Sequence, residues 1–96
     1  MGRHAQTVYT EPEDIARIEC MVAELPSQAR VRIVVRNGDV ITGCVTERPA
    51  LQLYEDPAGN EGFNAEVRID DPAAPPWTVY LWLGDIARVE RLDPPN

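Results

Sequence analysis

The chain contains no lysine. Its nine basic residues are all arginine, and sixteen carboxylates outnumber them, for a net charge of −7 and a pI near 4.5. That balance excludes a protein that grips nucleic acid over its whole surface, because a phosphate backbone has to be met by excess positive charge. Histidine occurs once, at His4, and cysteine twice, at Cys20 and Cys44. These are too few and too widely spaced for a zinc site or a disulfide framework, and the two thiols read as half-buried side chains kept reduced. Also missing are a Gly-x-Ser-x-Gly elbow, a phosphate-binding loop and any nucleophile beside a base, so the expectation is a protein that is not an enzyme and carries no cofactor or metal. Asp70 and Asp71 are adjacent and point to opposite sides of an extended chain, so they cannot share a proton. Asp56, Asn60 and Glu61 lack calcium-loop spacing. No segment approaches the ~18 apolar residues of a membrane span. The opening Met1-Gly2-Arg3-His4-Ala5-Gln6 has no apolar stretch of the signal-peptide kind, so the expected location is cytoplasmic, away from membranes.

What is present fits one small domain over residues 1–96. Of its residues 44% are hydrophobic, and at this length folding hides roughly 60–70% of the unfolded surface, enough for one core. Thr10-Glu11-Pro12-Glu13 is a capping-box pattern that starts a helix. Ile15, Ile18, Val22 and Leu25, with Met21 beside them, form one apolar stripe, and Pro26 ends the helix, which spans about residues 11–25. From Arg30 the period changes to two. Val31, Ile33 and Val35 alternate with arginines, and Asn37-Gly38 supplies a turn that tolerates positive φ. A two-residue Asn-Gly loop would put Ile41 and Val45 on the arginine face. A three- or five-residue loop gathers Val31, Ile33, Val35, Ile41 and Val45 on one buried face and is therefore the expected register.

Gly43, in mid-strand, marks a bend where a sheet curls. Leu51 and Leu53 continue the sheet, and residues 56–62 form a loop. Phe63, Ala65, Val67 and Ile69 then alternate with polar residues in one strand. After the proline-rich connector at residues 71–76, Trp77, Val79 and Leu81 share the core face, opposite Tyr80 and Trp82. Leu83-Gly84-Asp85 turns the chain into a last strand from Ile86 to Leu92. The predicted fold is mainly β: an N-terminal helix packed on a five-stranded, strongly bent small barrel over residues 30–92, of the SH3, OB or Sm type.

The pattern Val31-x-Ile33-x-Val35-x-Asn37-Gly38-x-x-Ile41-x-Gly43-x-Val45 resembles the first motif of Sm-like proteins, which include the Hfq-type bacterial RNA chaperones. Leu81 to Val89 is similar to a degenerate second motif. The whole chain resembles a small bacterial family with a variant Sm-like fold and a longer central segment. The resemblance implies an Sm-like barrel, and a base-binding site after the second strand and at an arginine-glycine in the second motif. Here the first place reads Glu47-Arg48-Pro49-Ala50-Leu51-Gln52, with Gln52 as its only planar amide. The second reads Leu83-Gly84, without the arginine. Uridine-specific recognition is not implied by these residues.

The charge is unevenly spread: residues 30–50 carry +2, against −3, −5 and −1 for residues 1–29, 51–76 and 77–96. Arg30, Arg32 and Arg36 alternate onto one outward face, and with Arg48 and Gln52 they make the candidate nucleic-acid strip. The same charges also serve simply to solvate a strand. Tyr80 and Trp82 are the candidate interaction surface, able to stack bases or to meet a partner. Two functions follow, a protein-interaction or regulatory module and, as the alternative, a weak RNA-binding module. The partner is another protein or a second copy of the chain. A monomer or homodimer is expected in place of the six- or seven-membered Sm-type ring, because Pro72, Pro75, Pro76, Pro94 and Pro95 flank the two strands that would close it.

Overall fold

Proline sets the start of the helix. The residue before a proline is held extended, and Glu11, at φ −75° and ψ 134°, is the N-cap of α1 (Pro12–Ala23) in place of the expected Thr10. Its carbonyl accepts from the N–H groups of Asp14 and Ile15, both at 3.1 Å, and no side chain caps the turn. The helix ends two residues earlier than the apolar stripe, but Leu25 is still fully buried, with Ile18 and Met21.

The computed structural model describes residues 3–71 and 77–92. Eight strands are present among them: β1 (Arg3–His4), β2 (Arg30–Val35), β3 (Val40–Val45), β4 (Gln52–Glu55), β5 (Glu61–Asn64), β6 (Glu66–Asp70), β7 (Thr78–Trp82) and β8 (Ile86–Arg91), with a 3-10 turn at Leu83–Asp85. They form two sheets, a five-stranded one in the order β7-β6-β3-β2-β8 and a three-stranded one in the order β1-β4-β5. The fold is mainly β with the helix packed on the sheets, as expected, but with eight strands where the sequence suggested five.

The β2–β3 hairpin has the longer loop. Val31 faces Gly43 and Ile33 faces Ile41. The three-residue loop Arg36-Asn37-Gly38 is closed by the Val35 N–H on the Asp39 carbonyl and by the Gly38 N–H on the Val35 carbonyl, both 2.8 Å. Gly38 takes the left-handed position at φ +99°, which a side chain would oppose. Gly43 serves close approach: a Cβ there would sit 2.5 Å from the Asp70 carbonyl oxygen and 2.7 Å from Ile69 Cγ2. Just past this point β3, still paired with β2 through Cys44 and Arg30, also pairs along its other edge with β6, Cys44 opposite Asp70 and Val45 opposite Ile69.

One of the extra strands comes from a single irregularity. Asn64 and Ala65 are consecutive and both buried, at 1% and 0% exposure, so the predicted single strand over residues 63–69 breaks between β5 and β6 and passes from one sheet to the other. Asn64 makes this possible. Its Oδ1 accepts from the N–H of Ala65 (2.8 Å) and of Gly84 (3.2 Å), and its Nδ2 donates to the Thr7 carbonyl (3.0 Å). Upstream of the break the faces are reversed relative to the prediction: Phe63 is partly exposed, and its partner Leu53 is half exposed. Trp77, expected in the core, is 43% exposed.

Residues 3–9 strap the small sheet to the rest. β1 runs parallel to β4, which places His4 beside Glu55 in a paired strand where a frayed end was expected. The Ala5 N–H donates to the Glu55 carbonyl (3.1 Å), and Tyr9 and Phe63 exchange backbone bonds of 2.9 and 2.7 Å. The Tyr9 hydroxyl donates to the Gly84 carbonyl at 3.3 Å. No described helix is long and apolar enough to cross a membrane.

Candidate interaction site

The outward face of the five-stranded sheet is set by strand register. Opposed residues in an antiparallel pair share a face, so Arg32 stands beside Thr42 and Glu90, Arg68 beside Tyr80, and Glu66 beside Trp82. The predicted phosphate strip does not form on this face. Arg30 and Arg32 do point outward from β2, but Arg36 lies in the hairpin loop, beyond a register shift at Val34/Val35, because the three-residue loop takes it out of the strand. Arg48 lies past the opposite end of β3, its N–H donating to Ser27 Oγ at 2.8 Å. The outward arginines are also paired with acids: Arg32 lies 3.8 Å from Glu90, Arg88 lies 3.4 Å from the same carboxylate, and Arg68 lies 3.3 Å from Asp70.

Four of the predicted site residues are brought together elsewhere. The connector after β3, residues 46–51, arches over the outer face of β6 and leaves a groove of 380 Å³ whose walls include Arg48, Gln52 and Tyr80, with Glu66 and Arg68 on its floor. A second depression of 350 Å³ shares Gln52 and Glu66 with the first and adds Arg3, Tyr54 and Trp82. A third, of 340 Å³, shares His4 and Trp82 with the second and extends to Pro57. The three lie side by side, sharing these lining residues, in a row, the trench, from the large sheet to the small one. The two sheets meet along this row where Tyr54 of β4 packs against Trp82 of β7, beside the passage of the chain from one sheet to the other at Asn64.

The trench carries mixed chemistry. Gln52 Oε1 is buried with no hydrogen-bond partner among the described residues, although a buried polar atom is normally paired. Tyr80 is 57% exposed. Trp82, predicted to share its face, does so but is half-buried, covered by Tyr54 in an edge-to-face contact with ring centroids 5.1 Å apart and planes at 90°. Burial raises the Tyr54 phenol above its ordinary value, the Glu66 carboxylate adds to this, and Arg3 opposes it. Glu47 and Glu66 offset Arg48 and Arg68, so the trench has no dominant sign of charge. Among the described residues no cluster of three histidine, cysteine or acidic side chains could hold a metal ion. Tyr54, Glu66 and Arg68 were missed by sequence reading. Glu66 and Arg68 were visible as the polar half of an alternating strand, but nothing local announced that a loop would cross above them.

Residues 2–92 match the model of a protein family described as a domain of unknown function, DUF3247. Among solved structures the chain is similar to XC5848 from Xanthomonas campestris, described as adopting a novel variant of the Sm-like motif. The two are 38% identical over 97% of this chain and 100% of the other, with a TM-score of 0.90. No curated protein matches the chain.

Proposed function

The chain belongs to the DUF3247 family, with a variant Sm-like fold, and from that premise we propose that it is a non-catalytic interaction module that takes an extended polypeptide segment into the trench. The observation that carries this reading is the pair of adjoining depressions lined by Gln52, whose buried Oε1 has no hydrogen-bond partner among the described residues and is reached by a ligand only when the side chain turns outward. This oxygen is an acceptor, and a peptide backbone offers N–H donors along its whole length. The phosphodiesters of a nucleic-acid backbone offer none, and Glu47 and Glu66 repel them. The mixed charge of the walls and the exposed Tyr80 ring suit a segment with both polar and aromatic side chains.

A weak RNA-binding role without uridine specificity is the second reading. The exposed Tyr80 ring beside Arg68 favours it, since a stacked base is worth about 1–3 kcal/mol. The two readings separate in one titration. A fluorescein-labelled mixed-sequence decapeptide pool and labelled oligouridine and oligoadenosine are each titrated with the protein at low salt and again at physiological salt. The polypeptide reading expects peptide binding that changes little with salt and weakens about 3- to 10-fold in Gln52→Ala, the range of one hydrogen bond. Oligonucleotide binding that falls steeply with salt, with no peptide binding, replaces it by the RNA reading.

A further inference from the structure

The two edges of the five-stranded sheet are protected differently. β8 carries Arg88, Glu90 and Arg91, and its pairing to β2 is broken by a register shift that leaves Ala87 as an extra residue. Charges and bulges of this kind keep an edge from recruiting another strand. β7 has neither. Its residues Thr78-Val79-Tyr80-Leu81-Trp82 are all uncharged, and they pair with β6 without interruption from Asp70/Thr78 to Glu66/Trp82.

The direction of its free groups follows from the ladder. The Trp77 carbonyl accepts from Asp71 and the Leu83 N–H donates to Ala65, so residues 77, 79, 81 and 83 turn their backbone groups toward β6. Alternate residues in an antiparallel strand turn theirs the other way. Thr78, Tyr80 and Trp82 therefore direct N–H and C=O groups to an edge on which no described strand lies.

We propose that β7 pairs antiparallel with β7 of a second copy of this chain, about a twofold axis at Tyr80, to form a continuous ten-stranded sheet. In that register Tyr80 faces its own equivalent and Thr78 faces Trp82, so the three edge-directed residues of each copy meet those of the other in about six backbone hydrogen bonds. No like charges are opposed on the new seam, although each chain carries −7. The half-buried Val79 and Leu81 meet each other on the inner face, and the exposed Tyr80 rings become neighbours on the outer one. A head-to-tail ring would need the guarded β8 as its acceptor edge. The twofold contact uses only the bare one.

Light scattering coupled to size exclusion tests this. The expected mass is twice 10.7 kDa at high concentration. Tyr80→Lys and Tyr80→Glu, each with an unchanged circular dichroism spectrum, should each elute as monomers, and their equimolar mixture should recover the dimer by pairing opposite charges across the axis. Gln52→Ala, which alters the trench, should leave the mass of the dimer unchanged, so failure of the trench reading and failure of the edge reading are separable. A monomeric wild-type chain, a six- or sevenfold mass, or a dimer indifferent to both Tyr80 substitutions overturns the proposal.

Discussion

The five-stranded and three-stranded sheets are held together by different means. In the large sheet, Val31, Ile33, Val45, Val67 and Ile69 are at most 1% exposed, placed there by alternation, and the helix stripe covers them. This is burial by local pattern, worth about 1.5–3 kcal/mol for each fully buried aliphatic side chain. The small sheet has little of this. Of its outward apolar pair, Leu53 and Phe63, neither is buried, and Tyr54 is its main buried apolar side chain. It is fixed instead by polar bonds from distant parts of the chain: Asn64 to Thr7 and Gly84, Tyr9 to Gly84 and Phe63, Ala5 to Glu55. A sheet can therefore be attached by a few buried hydrogen bonds where an apolar face is lacking, and it then depends heavily on each of them.

The sharpest way to break this comparison is Asn64→Leu. It leaves the Gly84 and Ala65 N–H groups and the Thr7 carbonyl without their partner, at about 1–3 kcal/mol for each group that stays unsatisfied. A loss of about 3–5 kcal/mol in urea-induced unfolding is expected. A loss below about 1 kcal/mol would show that the small sheet does not hang on this residue. The counterpart in the large sheet is Gly43→Val, where added methyl groups collide with the Asp70 carbonyl and Ile69. It should cost roughly 1–3 kcal/mol, and an unchanged melting temperature would remove close approach as the reason for the glycine.

How far the two sheets were legible follows the same division. The helix stripe, a hairpin loop longer than two residues and the inward faces of β2 and β3 can be read within windows of ten residues, because each depends on the period of its own segment. Arg36 was misplaced on the arginine face because a loop residue continues the alternation on paper after the strand has ended. Asn64 was placed outside for a similar reason: its partners lie 57 residues before it and 20 residues after it, and no local pattern marks a polar residue as buried. Phe63 and the division of β5 from β6 were lost with it. Of the candidate site, Arg48, Gln52, Tyr80 and Trp82 were named from residue type, but their meeting in one trench depends on how the two sheets meet. The expected blunting of edges by Pro72, Pro75, Pro76, Pro94 and Pro95 lies outside the described residues.

Two smaller effects sharpen the contrast. Tyr9→Phe removes the hydroxyl that bonds Gly84 at 3.3 Å and should cost about 0.5–1.5 kcal/mol. Amide exchange should rise in residues 3–9 and stay unchanged in β2 and β3. At the turn of the β4–β5 hairpin, the Asp56 carboxylate accepts from the Asn60 and Ala58 N–H groups at 2.8 and 3.0 Å. These bonds, that from Asn60 foremost, hold its pKa below the ordinary aspartate value of 3.8. The stabilisation is complete above that value and is lost as pH falls through the depressed one. Below pH 3.8, nuclear magnetic resonance should show the turn loosening in the wild type, with no such step in Asp56→Asn.

The strap formed by residues 3–9 has a consequence for the order in which the molecule assembles. Tyr9 is synthesised 75 residues before the Gly84 carbonyl it bonds, and Thr7 waits 57 residues for Asn64. A segment whose partners arrive so late cannot nucleate folding, since closing loops of this length is entropically costly until the surfaces that reward it exist. The β2–β3 hairpin can form alone, and β8 closes on it once made. The strap is therefore expected to dock last and, by the same reasoning, to open first in the native state. Arg3 and His4 line two of the depressions, so hydrogen exchange faster in residues 3–9 than in β2 and β3 is the expected sign that part of the trench opens with the strap.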